Sequence, residues 1–122
     1  MKRKIQKDIE PILKEVKKTL KNIYGANLKK IILYGSYARG DADEDSDIDI
    51  IILIKNMKDP VTALEKCSKN IHQIDYFYDT LISIVPIDAE EYNVRKLPVI
   101  LNAKREGIPI WEKNITNSMN KM

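Results

Sequence analysis

The stretch that decides the fold is Leu33-Tyr-Gly-Ser-Tyr-Ala-Arg-Gly-Asp-Ala-Asp-Glu-Asp-Ser-Asp-Ile-Asp-Ile-Ile-Ile-Leu-Ile54. It has three parts. Ile31 to Tyr34 is a short apolar run ending at a glycine, which predicts a buried strand. Gly35 to Ser46 is turn-rich and acidic. Ile48 to Ile54 is a second apolar run, rich in isoleucine, and predicts another buried strand. Asp47 and Asp49 stand where that second strand begins. They are two residues apart, so on a strand both carboxylates point to one face. Two like charges side by side at the edge of an apolar strand are costly unless a cation lies between them. A hard divalent cation is the expected partner, because such ions take carboxylate oxygens.

Gly35 and Ser36 supply the other half of a site. A glycine directly after a strand lets backbone N–H groups approach a ligand closely. A serine opening a helix adds a hydroxyl to the free N–H groups of the first turn, which together cradle an anion. Phosphate on one side and metal-binding carboxylates on the other is the layout of a nucleoside triphosphate site. Gly35 and Gly40 also have the glycine spacing of a P-loop. That motif needs Lys and then Ser or Thr after its second glycine, and here Asp41 and Ala42 follow, so the P-loop reading fails on chemistry.

Gly35-Ser36, ten residues, then Asp47-x-Asp49 resembles the motif of the DNA polymerase β-like nucleotidyltransferase superfamily. Ala38-Arg39-Gly40 and Ser46 look most like its smallest branch, the minimal nucleotidyltransferases or MntA-type antitoxins. At roughly 5–7% usage per fixed residue, the four-residue pattern arises by chance in about one chain in a thousand of this length. The resemblance implies an Mg²⁺-dependent enzyme, with one or two ions, that transfers AMP from ATP to a hydroxyl. Asp47 and Asp49 would hold the metal, with Gly35, Ser36, Arg39 and Ser46 around the nucleotide. It implies a HEPN-domain ribonuclease toxin as the partner carrying the acceptor hydroxyl. The alternative is a catalytically weak or inactive module of the same fold that binds nucleotide or partner alone. A salt bridge from Arg39 to Asp43 or Asp45 is an equal alternative to a nucleotide role.

The family usually carries a third carboxylate on the strand expected at Leu81 to Ile87. Here the aligned position holds Ser83. Asp79 lies on the same face if the strand extends that far, and is the candidate for the third catalytic carboxylate. It would stand about 13 Å away along the strand at ~3.3 Å per residue. Asp75 and Asp88 are poorer candidates.

The chain has 122 residues, 43% hydrophobic and 32% charged, which suits one soluble domain with a single core. No apolar run reaches the length of a membrane span. One cysteine, Cys67, excludes an internal disulfide and suits a reducing cytoplasm. It reads as a small buried hydrophobe on a helix. The lone histidine, His72, makes a zinc site improbable. Residues 1–30 hold ten Lys or Arg and three Asp or Glu, a surplus of seven in a chain whose net charge is +3. A basic helix over an acidic remainder raises nucleic-acid binding, but few aromatics interleave the lysines, and a solvated helix face is the better reading.

In chain order, Ile5, Ile9, Ile12, Leu13, Val16, Leu20 and Ile23 recur at helical spacing, with Pro11 marking a kink or the true first turn. The two strands follow. Pro60 opens a helix with Val61, Leu64, Cys67, Ser68, Ile71 and Ile74 on one face, closed by Tyr76-Phe77-Tyr78, read as core or helix-end packing. After the third strand, Asp88 caps a helix that Pro98 interrupts and Gly107 stops. Ile108 to Trp111 is a short extended piece. The order α-β-β-α-β-α predicts an α/β (α+β) fold with a small mixed sheet packed on helices. One nucleotidyltransferase-like domain is expected over 1–113, with 114–122 a frayed tail.

Overall fold

The computed structural model describes residues 8–113. Ile5 and the expected tail at 114–122 lie outside the described residues. Helix α1 (Glu10–Tyr24) is followed by a short 3-10 turn at Gly25–Asn27 and strand β1 (Leu28–Tyr34). Then come a single helical turn, α2 (Ser36–Arg39), strand β2 (Ile48–Ile54), helix α3 (Pro60–Tyr78) and strand β3 (Ile82–Asp88). Helices α4 (Ala89–Val94) and α5 (Pro98–Glu106) and strand β4 (Ile108–Glu112) complete the chain. The expected mixed α/β architecture is present. The final extended piece is a full member of the sheet, and Pro98 divides the last helical segment into two.

The sheet order is β3-β2-β1-β4. β1 runs antiparallel to both β2 and β4, while β2 and β3 are parallel, joined through α3. Residues of even number on β2, Ile48 to Ile54, face α1 and α3 in one core with Val16, Leu20, Cys67 and Ile71. Ile51 and Leu53 face the other way, under Tyr92 of α4 and Ile100 and Ala103 of α5. With helices on both faces, β2 is apolar on both sides, which is why it reads as a continuous run of isoleucines.

Local chemistry sets the boundaries. Pro11 lies in the first turn of α1, where its missing N–H costs nothing. Asp59 caps α3 by accepting from Thr62 N–H at 2.8 Å. Asp88 caps α4 by accepting from Glu90 and Glu91 N–H. Tyr24 at the end of α1 donates to the Ala63 carbonyl in α3, locking the two helices together on the sheet.

Three expectations need correction. β3 begins at Ile82, not at Leu81, and does not reach Asp79. Asp79 is the C-cap of α3, in the left-handed region at φ 53°, because the chain must turn sharply between helix and strand. Of the apolar face expected on α3, Val61 and Leu64 are exposed and Ala63 takes a core place instead. Tyr76 and Phe77 do not pack in the core: they are 92% and 78% exposed. Tyr78 alone of that trio packs against it.

Candidate functional site

β1 and β2 are antiparallel neighbours, so the end of β1 and the start of β2 lie together. Tyr34 is opposite Asp49. Gly35 follows at φ 76° and ψ −155°, a conformation open essentially to glycine alone. A Cβ at position 35 would overlap the Asp49 carboxylate oxygen Oδ2. The glycine is therefore required twice, by its backbone angle and by the carboxylate pressed against it.

The chain then makes one turn of helix. The Gly35 carbonyl accepts from Ala38 and Arg39 N–H at 3.1 and 3.0 Å, and Gly40, in the left-handed region, closes the turn. The acidic loop after it is self-contained. Ser46 Oγ accepts from Asp43 N–H at 3.0 Å and donates to Asp43 Oδ1 at 3.2 Å. Asp45 N–H donates to the same carboxylate at 2.9 Å. Ser46 thus closes the loop that delivers Asp47 to the start of β2.

Asp47 is exposed and Asp49 half-buried. Burial, then the charge of Asp47, pushes the Asp49 carboxyl above its ordinary range, with Arg39 acting weakly in the opposite sense. Arg39 makes ion pairs with Asp41 at 3.2 Å and Glu106 at 3.1 Å. Those are its partners in place of the expected Asp43 or Asp45, and the Glu106 pair ties the site turn to the end of α5. Among the described residues, neither Asp47 nor Asp49 has an ion-pair partner within 4.0 Å.

β3 lies beside β2 with Ser83 in register with Asp49. Tyr34, Asp49 and Ser83 therefore form a row across three strands, on one face of the sheet. Among the described residues no group of three or more His, Cys, Asp or Glu side chains is close enough to hold a metal ion. The candidate donors are the two carboxylates Asp47 and Asp49, and Asp79, outside β3, does not join them. Two carboxylates without a protein cation suit one hard divalent ion whose remaining positions are filled by phosphate oxygens and water.

Two contributors had no signal in the motif. Tyr34 shares a face with Asp49, and burial followed by the Asp49 charge raises its phenol pKa. Its place as the last strand residue before the glycine is the only sequence cue. Asp75, on α3, accepts from Ile82 N–H at 2.9 Å at the outset of β3, fixing where that strand starts. Its carboxyl is raised first by burial and also by Asp47, against the lowering effects of the Ile82 hydrogen bond and His72.

Residues 13–108 match the nucleotidyltransferase domain family model, and the chain belongs to that family. It is 43% identical over 76 residues to a candidate protein adenylyltransferase, MJ0141 of Methanocaldococcus jannaschii, covering 62% of this chain and 76% of that one. It is 47% identical over 45 residues to protein adenylyltransferase MntA of Thermococcus cleftensis, covering 37% of this chain and 43% of the relative. The chain thus matches less than half of the MntA relative's length.

The fold is shared with a toxin–antitoxin structure solved with AMP-PNP, at TM-score 0.62 and 20% identity, covering 88% of this chain and 78% of that one. A nucleotidyltransferase structure from Sulfolobus solfataricus gives 0.60 and 22%, covering 92% and 87%. A complex of a tri-AMPylated Shewanella oneidensis HEPN toxin with its MNT antitoxin gives 0.53 and 20%, covering 88% and 75%. Among the described residues no helix is long and apolar enough to cross a membrane.

Proposed function

We propose that this chain is an Mg²⁺-dependent adenylyltransferase that moves AMP from ATP to a hydroxyl on a partner protein. The partner proposed is a HEPN-domain toxin, with this chain the cytoplasmic antitoxin that modifies it. The observation that carries the reading is the contact of Gly35 with the Asp49 carboxylate, with Asp47 two residues before it. That contact sets a backbone suited to phosphates against a carboxylate pair suited to a metal. The relatives named as protein adenylyltransferases and the fold shared with toxin–antitoxin complexes support the donor and the partner.

In this reading Asp47 and Asp49 hold Mg²⁺, which when bound neutralises phosphate charge and lowers the pKa of an attacking hydroxyl. The Gly35 backbone and the Ser36 hydroxyl hold the β- and γ-phosphates. Arg39 adds positive charge near Asp49 while anchored by Asp41 and Glu106, and Ser46 keeps the acidic loop in shape. The acceptor oxygen bonds to the α-phosphorus, the bond to the bridging oxygen breaks, and pyrophosphate leaves. The proton of the acceptor passes to solvent.

A second reading is favoured by Ser83. With a hydroxyl in register with Asp49, the chain would bind nucleotide and partner without efficient transfer. Incubating the protein with α-labelled ATP, Mg²⁺ and a HEPN-domain partner separates the two. Label on the partner, lost in Asp47→Asn and Asp49→Asn, supports the enzyme. Tight complex formation without label supports the binding module.

A further inference from the structure

The end of the sheet remote from Asp47 and Asp49 carries a second concentration of charge, in which lysines and carboxylates both take part. β1 starts there with Leu28, beside Ile54 at the end of β2. Six residue steps along β1 separate it from Tyr34, about 20 Å at ~3.3 Å per residue. Lys29 opens β1. Lys55 directly follows β2, its N–H donating to the Asn27 carbonyl at 2.8 Å. Lys113 directly follows β4, its N–H donating to the Lys29 carbonyl at 2.9 Å. Three neighbouring strand ends therefore deliver three lysines side by side. The β1 register shifts between Leu28 and Lys30, and this irregularity brings Lys29 and Lys30 to the rim of one cavity.

That cavity measures about 400 Å³ and lies between the sheet end and α4, with Lys29, Lys30, Lys55, Asn56 and Asn93 in its walls. Its carboxylates are mostly engaged. Asp88 accepts from the N–H groups of Met57, Glu90 and Glu91. Glu112 pairs with Lys30 at 3.9 Å. Glu90 is exposed at the rim. Among the described residues no carboxylate lies within 4.0 Å of the Lys29, Lys55 or Lys113 ammonium. Residues 1–7 and 114–122 contain no Asp or Glu at all, so their side chains supply no counter-charge either.

Ammonium groups held close together with no carboxylate in ion-pair contact repel one another. Lys29 registers this: its pKa is lowered, first by desolvation and then by Lys113 and Lys55. A folded domain that keeps such a cluster beside a cavity is arranged for an anion that offsets the repulsion. Lysine is suited to phosphate as a point charge, and the two asparagines add donors for its remaining oxygens.

We propose that this cavity is a binding site for a small phosphate-bearing ligand held by the Lys29 and Lys55 ammonium groups, with Lys113, which donates to the Ala26 carbonyl at 3.2 Å, adding positive charge from outside the cavity wall. It is separate from the nucleotide site proposed above and does not depend on it. A half-open pocket of about 400 Å³ is of the size small ligands occupy, whereas the backbone of a nucleic acid would track a longer groove.

The test is a titration of the full chain with inorganic phosphate, with divalent ions chelated so that no phosphate is bridged to Asp47 and Asp49. Amide NMR shifts and thermal unfolding are read against sodium chloride at matched ionic strength. Saturable shifts at Lys29, Lys55, Asn56 and Lys113, absent at Gly35 and Asp49, are expected. Lys55→Gln is expected to weaken binding at least tenfold. Lys29→Gln is expected to raise Tm in low salt without phosphate and to abolish the phosphate-dependent rise. Equal effects of chloride, undiminished binding by Lys55→Gln, or shifts centred on Gly35 and Asp49 would overturn the site. So would a short single-stranded RNA that shifts the same amides while phosphate does not.

Discussion

Gly35 and Asp49 are in contact across the β1–β2 pair, so closely that no side chain fits at position 35 without displacing the carboxylate. The contact brings together the two halves of the candidate site. The Gly35 backbone and the Asp49 carboxylate are held side by side. Gly35→Ala is therefore expected to act in two ways. The φ of 76° and ψ of −155° cost an L-residue about 1–3 kcal/mol, which thermal or denaturant unfolding would measure. The added methyl also pushes the Asp49 carboxylate away, so ATP affinity should fall more than the lost stability accounts for. Calorimetry on the folded variant with Mg²⁺ and ATP checks this, and parental affinity would remove the glycine from the site.

Asp49 itself should trade stability for ligand binding. Burial and Asp47 raise its folded pKa. A carboxyl with a raised folded pKa takes up its proton more readily when folded than when unfolded. Its favourable contribution is present at low pH, below the ordinary carboxylate pKa, and is lost as pH rises through the folded value. At neutral pH the ionised group is thus a destabilising one. Asp49→Asn is expected to raise Tm at pH 7, with the gain shrinking as the pH falls towards the ordinary carboxylate range. The same variant should lose Mg²⁺-dependent ATP binding. A Tm gain independent of pH would show that the charge was not the cause.

Much of this was legible in the chain. The isoleucine run of β2 announced a strand covered on both faces, and the spacing of Asp47 and Asp49 fixed their place at its start. Pro60 and Asp88 marked helix starts because each has a local physical reason to stand there, and of the two readings of Pro11, kink or first turn, the first turn is the one found. What was not legible depends on contacts distant in sequence. Arg39 reaches Glu106, 67 residues later, which no short-range pattern encodes. Tyr76 and Phe77 read as core or helix-end packing because of their composition, yet α3 leaves both largely exposed. Position 79 looked like a strand extension by parity alone, whereas the helix end needed a left-handed residue there.

That cap role makes a prediction of its own. Asp79 is exposed and sits at φ 53°, where glycine carries no Cβ penalty. Asp79→Gly is expected to leave stability unchanged or to raise it by about 0.5–1 kcal/mol, and to leave pyrophosphate release as in the parent. A large loss of release with stability intact would restore Asp79 to the catalytic set.

The parallel register of Asp49 with Ser83 separates the enzyme from the binding module. Paired residues on adjacent strands point to the same face, with Cβ atoms about 5 Å apart. A carboxylate at 83 would therefore stand beside Asp49 without any change of backbone. A serine hydroxyl there neither balances metal charge nor serves as a base near neutral pH. Ser83 is half-buried at the edge of the sheet, so Ser83→Asp adds a second raised carboxylate and lowers stability in the absence of metal. With Mg²⁺ present the cost should be recovered, because the ion is shared by three carboxylates instead of two. Unfolding with and without Mg²⁺ reads that reversal directly. Pyrophosphate release with Mg²⁺, ATP and a HEPN-domain partner should then rise about tenfold or more, in line with adding a positioned general base. If the parent already turns over rapidly and Ser83→Asp slows it, two carboxylates suffice, and the hydroxyl belongs to the working site.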